Sequence, residues 1–294
     1  MLRTSLGLKH IEDPEYLKKE LTWIRSAGFD TVDLETSMQG QLDMMHDPNG
    51  MERAREARRI LDDFDMDVQQ GHAPFGLHKM LDPEYDLRQY NDVLNSLPFA
   101  AALGIRYFII HPFYAHYPTD PLYTERDLVM EKNFELFREF SARADDLGVK
   151  LCIENMYGTD LAKAFSIPSV FSTTRDLNEL MDAIPGLTCC FDTGHALVNG
   201  YDLGSMVREL GSRLTTLHVH HNDHHHDLHI PPFMNYESDW QSFCKGIKDI
   251  GYTGSLNLEV GPFTGSACPD QLKPYAYEYL HATAVLLAEM IENA

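Results

Sequence analysis

Short apolar, β-rich runs recur along the chain at near-regular intervals. Eight stand out, at residues 2–8, 31–35, 67–70, 107–110, 150–153, 188–191, 215–219 and 255–258, with starts 27 to 43 residues apart. Between them the apolar positions fall three or four residues apart, the period of a helix buried along one face. Residues 53–64, 125–147, 175–183, 239–250 and 275–292 carry that period. The first helix is predicted to start at Asp13, whose carboxylate can cap it, with Pro14 at its first position, and to stop at Gly28. Gly148, Gly186 and Gly251 follow other helical runs, where a left-handed cap favours glycine.

Strand–helix alternation of this kind predicts parallel strands joined by crossover helices. Eight units with no break in composition and no linker point to an α/β fold, a closed (β/α)8 TIM barrel, as a single domain over residues 1–294. An open doubly wound sheet is the alternative. It would be expected to carry a glycine-rich phosphate loop, and neither G-x-G-x-x-G nor a P-loop occurs.

A barrel of this type builds its site at the C-terminal ends of the strands. The third run leads to His72 and the fourth to His111; the fifth ends at Glu154 and the sixth at Asp192, followed by His195. The seventh opens into Thr216-Leu-His-Val-His-His-Asn-Asp-His-His-His-Asp-Leu-His229, which holds seven of the chain's fifteen histidines, and the eighth ends at Glu259. A histidine or carboxylate at one strand end is ordinarily structural, and a carboxylate there often caps the next helix. Six successive strands ending in metal-ligand residue types are harder to explain structurally, and predict a divalent metal site.

Composition narrows the partners. The balance of 24 basic against 45 acidic residues gives a net charge of −21, which repels polyphosphate and anionic membranes. No apolar run is long enough to span a bilayer and no secretory signal is apparent, so a cytoplasmic protein with buried free thiols is expected. The five cysteines form no CxxC pair.

The set Glu154, Asp192-Thr-Gly-His195, His218-x-His220-x-Asn-Asp, Asp227-x-His229-x-Pro-Pro and Glu259 resembles the xylose isomerase-like TIM-barrel superfamily of sugar isomerases, epimerases and class-two AP endonucleases. Resemblance to its ketose 3-epimerases implies one metal held by Glu154, Asp192, His220 and Glu259. It also makes Glu154 and Glu259 the acid/base pair and sets His195 beside the substrate. Resemblance to the AP endonucleases implies three zinc ions. One would lie at His72, His111 and Glu154, one at Glu154, Asp192, His220 and Glu259, and one at His195, Asp227 and His229. The cofactor expected is thus a divalent metal (Zn, Mn, Co, Mg or Fe), one ion or up to three.

Residue chemistry separates the branches. A nuclease must grip phosphates, yet residues 192–207, 218–243 and 259–272 contain no Lys or Arg. Lys9, Lys79 and Lys163 are the main cations on that face, with Arg126 and Lys273 at helix starts. The same loops carry Phe75, Phe113, Tyr114, Tyr117, Tyr157, Phe233, Tyr236 and Phe263, rings that suit the C–H faces of a sugar but that also serve to pack loops together. The expected enzyme is therefore a metal-dependent isomerase or epimerase of a sugar or polyol, working by proton abstraction next to a carbonyl. A ligating histidine must be neutral, so activity should fall in acid. A metal-dependent phosphoesterase and an inositol-pathway dehydratase or isomerase are the alternatives. No nucleic acid or membrane partner is expected, and a homo-oligomer is left open. Two departures bear on the substrate: His226 stands where the 3-epimerases place an arginine, and Phe-Met-Asn-Tyr replaces a glycine turn after Pro232. Of the clustered histidines, His221, His224, His225 and His226 are expected at the rim, and His218 one layer deeper than His220.

Overall fold

The computed structural model describes residues 1–234 and 236–294. In chain order its strands are β1 (Thr4–Leu8), β2 (Thr31–Glu35), β3 (Asp67–His72), β4 (Tyr107–Ile110), β5 (Lys150–Glu154), β6 (Gly158–Asp160), β7 (Phe165–Ile167), β8 (Thr188–Asp192), β9 (Leu214–His218) and β10 (Leu256–Leu258). Its helices are α1 (Pro14–Ala27), α2 (Gln39–His46), α3 (Gly50–Asp63), α4 (Pro83–Leu103), α5 (Arg126–Asp146), α6 (Thr174–Ala183), α7 (Thr193–Val198), α8 (Leu203–Leu210), α9 (Trp240–Asp249) and α10 (Lys273–Asn293).

Eight strands form one parallel sheet in the order β10-β1-β2-β3-β4-β5-β8-β9. Its ends meet through a parallel bridge between Val219 and Leu258, where Val219 N donates to Asn257 O at 2.8 Å and Glu259 N to Val219 O at 3.1 Å. The result is a TIM barrel with its helices outside. All eight expected strands are present, three of them reaching one or two residues further, to His72, Glu154 and Asp192. The antiparallel pair β6–β7 was not anticipated; it lies between β5 and α6 and belongs to the rim, not to the barrel. No helix is long and apolar enough to cross a membrane among the described residues.

Two irregularities set which side chains face each other. The pairing of β8 with β9 shifts between Cys189 and Cys190, so that Thr215 is passed over and His218 comes opposite Asp192. The β2–β3 pairing shifts in the same way and sets Asp33 opposite Gln70. Bulges are a common means of re-aiming side chains beside a site. Here they bring polar residues into register inside an otherwise apolar barrel.

Caps follow the local chemistry. Asp13 accepts from the backbone N–H groups of Glu15 and Tyr16, and Gly28 ends α1 in the left-handed region at φ 114°. Helix α4 starts by the same device, Asp82 accepting from Tyr85 N ahead of Pro83. Between α1 and α10 the apolar seam contains one carboxyl. Glu20 is 6 % exposed, and Tyr277 Oη donates to its Oε1 at 2.6 Å.

Burial raises the pKa of Glu20 above the carboxylate norm, only partly offset by the Tyr277 hydroxyl. The folded state therefore favours the protonated acid. Its contribution to stability is complete below the unfolded pKa and is lost as pH rises through the folded value. Glu20→Gln should accordingly be more stable than the parent at pH 7 in urea denaturation, with the advantage vanishing near pH 4. Equal stability at both pH values would show that Glu20 is solvated.

Candidate metal centre

Strand β8 delivers Asp192 to the barrel mouth and runs directly into α7. One carboxylate oxygen, Oδ1, accepts from His195 N at 2.7 Å and caps that helix. The other, Oδ2, lies 3.0 Å from His220 Nε2. A structural role and a site role thus coexist in one side chain. Around the same nitrogen stand Asp227 Oδ1 at 3.6 Å and Glu259 Oε2 at 3.9 Å.

Two further groups adjoin this one. His72 Nε2 and His111 Nε2 are 3.0 Å apart, and Glu154 Oε2 lies 3.4 Å from the first and 3.3 Å from the second. Asp227 Oδ2 lies 3.0 Å from His229 Nε2 and 3.5 Å from His195 Nε2. The fold therefore brings all nine residues singled out from the sequence to one mouth. His218 joins them from below: its Nδ1 is 3.2 Å from Glu154 Oε1 and 3.7 Å from Glu259 Oε2, and its Nε2 is 3.1 Å from Asp33 Oδ2.

Backbone carbonyls set the tautomers. His72 Nδ1 donates to Ala73 O at 2.7 Å, His195 Nδ1 to Asn155 O at 2.7 Å, and His229 Nδ1 to Glu259 O at 3.0 Å. A carbonyl only accepts, so each Nδ1 carries hydrogen and each Nε2 is turned toward the carboxylates. Metal-binding histidines are commonly oriented in this way by the partner of the other ring nitrogen.

The electrostatics point the same way. Burial disfavours charge on Glu154, yet the imidazoles of His218 and His111 hold its pKa well below the usual carboxylate range. Burial likewise opposes charge on Glu259, and His218 and His229 pull its pKa down. In return the carboxylates raise two of the histidines against burial, His72 to about 9 through Glu154 and Glu35, and His195 to about 10 through Asp192 and Asp227, whereas burial lowers the pKa of His111. Buried anions here call for positive charge, which protons on imidazole or a divalent ion can supply. Glu154 Oε2, Asp227 Oδ1 and His220 Nδ1 are buried without a hydrogen-bond partner among the described residues. Carboxylate and imidazole donors gathered with unpartnered atoms fit an ion such as zinc or manganese.

Above the donors opens a cavity of about 590 Å³, reached by His72, His111, Glu154, His195, Asp227, His229 and Glu259. Asp192, His218 and His220 lie beneath it, each 0 % exposed. Four of the eight rim aromatics line it, Phe75, Tyr114, Tyr117 and Tyr157. Phe113, Phe233 and Phe263 instead pack on His78, Trp240 and Tyr279, and Tyr236 faces His221. Lys9 and Lys79 are the cations of the lining among the described residues. Lys163 pairs with Asp160, and Arg126 with Asp176 and Glu179.

His226 turns away, its Nδ1 2.7 Å from Asp223 Oδ2. His221 is not a rim residue: it is 0 % exposed, its Nε2 bonds to Tyr236 O at 3.0 Å, and its ring meets Trp240 edge-on. A bridge between His221 and Ile230 folds the loop back and forces the ring inward. Four supporting residues, Asp33, Gln70, Asn155 and Asn257, were missed. Asn155 clasps the backbone of Asp192 on both sides, donating to its O at 2.9 Å and accepting from its N at 2.7 Å. Gln70 and Asn257 each donate to Asp33 Oδ2 at 2.9 Å. Polar residues set in apolar strand runs were the available signal.

The sequence profile described as xylose isomerase-like TIM barrel matches residues 21–275. The chain belongs to that family. Among solved structures, this family member resembles a D-tagatose 3-epimerase-like protein, with a TM-score of 0.70 at 20 % identity over 98 % of this chain and 99 % of that one. It resembles an L-ribulose 3-epimerase with a TM-score of 0.71 at 16 % identity, over 100 % and 96 % of the two chains. A 3-keto-D-glucoside 4-epimerase from E. coli gives 0.70 at 12 % identity, over 95 % and 100 %. At these identities the likeness is one of fold. By sequence the chain is 27 % identical over 204 residues to an uncharacterized protein of Sinorhizobium fredii, covering 68 % of this chain and 60 % of that protein. It is 34 % identical over 90 residues to mannonate dehydratase of Saccharophagus degradans, covering 29 % of this chain and 22 % of that enzyme. The chain thus spans less than two thirds of the length of these curated relatives.

Gly194 tests whether the packing around His220 matters. A β-carbon there would overlap the His220 ring. Gly194→Ala should therefore displace His220 from Asp192 and remove most of the thermal stabilisation expected of the parent on addition of Mn2+. That gain is about 2.7 kcal/mol at a hundredfold excess over Kd. An undiminished gain would mean that His220 takes no part in binding.

Proposed function

We propose that this protein is a metal-dependent isomerase or epimerase of a sugar or sugar-like polyol. The observation that carries the reading is the approach of two ionised glutamates to one point: Glu154 and Glu259, from strands separated by β8 and β9, both reach His218 Nδ1 at the floor of the cavity. Solved relatives described as 3-epimerases and a 4-epimerase of sugars support it.

Glu154, Asp192, His220 and Glu259 would hold the ion. When bound, it supplies Lewis acidity to a carbonyl and its neighbouring hydroxyl, which acidifies the adjacent C–H. Glu154 takes the proton from that carbon, and the electron pair left behind delocalises onto the carbonyl oxygen. Glu259, ionised at rest, takes up a proton from water and delivers it, and Glu154 releases to water the one it removed. Return to the opposite face of the same carbon gives the epimer; return to the neighbouring carbon, with the hydroxyl proton passing to the former carbonyl oxygen, gives the aldose–ketose isomer. His195, fixed by the Asn155 carbonyl, holds a substrate oxygen with Nε2. Tyr114, Tyr117 and Tyr157 cover the sugar and limit access of water.

One observation favours a second reading. The convergence of His72 and His111 on Glu154, and of His195 and His229 on Asp227, would also suit a site with additional ions acting on a phosphoester. The scarcity of cations in the cavity lining weighs against it, since phosphate recognition relies on Lys, Arg and backbone amides.

Incubation with ketoses and aldoses in D2O discriminates between the two. Deuterium should enter the carbon next to the carbonyl with the parent protein, and the rate should fall by at least about a hundredfold in Glu154→Gln, the lower range for loss of a general base. Cleavage of an abasic-site duplex with no exchange into any sugar would overturn the first reading in favour of the second. Exchange accompanied by loss of water would make the reaction a dehydration.

A further inference from the structure

A second cavity, of about 370 Å³, lies beside the first between α1 and the segment leading from β10 to α10. The two share Gly7, Lys9 and Gly261 in their linings. The chain leaving β10 lines the first with Glu259 and Val260 and the second with Thr264, Gly265 and Ser266. Lys9 lies across Gly261 at the junction, so close that a β-carbon on Gly261 would meet its ammonium. Lys9 makes no ion pair among the described residues.

The walls of this second cavity are built, not merely exposed. Lys273 is 4 % exposed and Glu20 6 %. Lys273 Nζ donates to Tyr16 Oη and sits 3.7 Å from Asp270 Oδ1. Glu20 Oε1 is satisfied by Tyr277, but Oε2 is buried with no partner among the described residues. That oxygen is sealed from solvent, so Glu20 backs the wall, and the groups open to a ligand are those of Lys9, Glu12, Tyr16 and Ser266.

The lining also selects the ligand. Glu12, Asp13 and Asp270 outnumber Lys9 and Lys273, which disfavours a phosphate or carboxylate. An apolar group would leave the charged lining unsolvated. A neutral polyol both donates and accepts, and so can meet the Glu12 carboxylate, the Ser266 hydroxyl and the Lys9 ammonium of the lining.

We propose that this cavity is an outer sugar subsite, contiguous with the first across Lys9, and that the substrate is a two-unit glycoside whose reacting sugar lies over Glu154 and Glu259. The assignment of the reacting unit rests on the isomerase or epimerase reading; the subsite itself does not. The outer unit is uncharged and rich in hydroxyls.

The test uses calorimetric titration of the full chain with isomaltulose, a glucosyl ketose, and with D-fructose, its free ketose. The parent should bind isomaltulose about tenfold more tightly, a difference of about 1.4 kcal/mol. Ser266→Trp, which fills the second cavity, and Glu12→Ala, which removes a carboxylate from its lining, should each reduce that preference while changing fructose affinity less than about twofold. Thermal denaturation checks that both variants fold. Equal affinity for the two sugars, no binding of either, or equal weakening of both by the variants would overturn the subsite. Preferential binding of isomaltulose without deuterium exchange would support the subsite and count against the proposed reaction.

Discussion

Carboxylates and imidazoles crowded below the barrel mouth impose the constraint on which the rest of the site depends. Glu154 and Asp192 are almost wholly buried, Asp227 and Glu259 lie close by, and no guanidinium or ammonium ion-pairs with any of the four among the described residues. Isolated ionised carboxylates do not survive such an environment, because desolvation exceeds what distant charges return. Positive charge must therefore come from imidazole protons or from an ion held between the donors. The surrounding structure maintains that requirement. Asn155 fixes the backbone of Asp192, backbone carbonyls turn the Nε2 atoms of His72, His195 and His229 inward, and Asp33 anchors His218 from beneath.

The barrel scaffold converts sequence-distant residues into this cluster by simple means. Parallel strands of similar length end at one level, so the residue following each strand reaches the same rim. Two register shifts refine the result, without which Leu217 rather than His218 would stand opposite Asp192. The open mouth above combines tyrosine rings with few cations, a surface better matched to a sugar than to a nucleic acid. The second cavity continues that surface past Lys9, so that recognition of a larger polyol follows from the same loop that carries Glu259.

Much of this was legible in the sequence because strand and helix periods differ and because the chemistry sits where the apolar runs stop. The eight strands and the nine residues that meet at the mouth could be read in that way. Helix α4 was not, although Asp82-Pro83 repeats the start signal of Asp13-Pro14; its internal Pro98 and mixed polarity hide the period. The β6–β7 pair is too short to announce itself. Register shifts leave no mark in a single sequence, and so the Asp33–His218 contact was invisible. His221 was misplaced for a related reason: within a run of histidines, inside and outside are decided by the loop's return bridge to Ile230, which polarity does not reveal.

Binding of a divalent ion by these donors can be measured without any substrate. Electron paramagnetic resonance of Mn2+ titrated into the chelator-treated protein tests it most directly. The free-ion signal should be lost at substoichiometric Mn2+ with the parent protein and kept with Asp192→Asn, which removes a carboxylate charge at nearly constant volume. A free-ion signal undiminished by the parent protein, or equal binding by the variant, would contradict it.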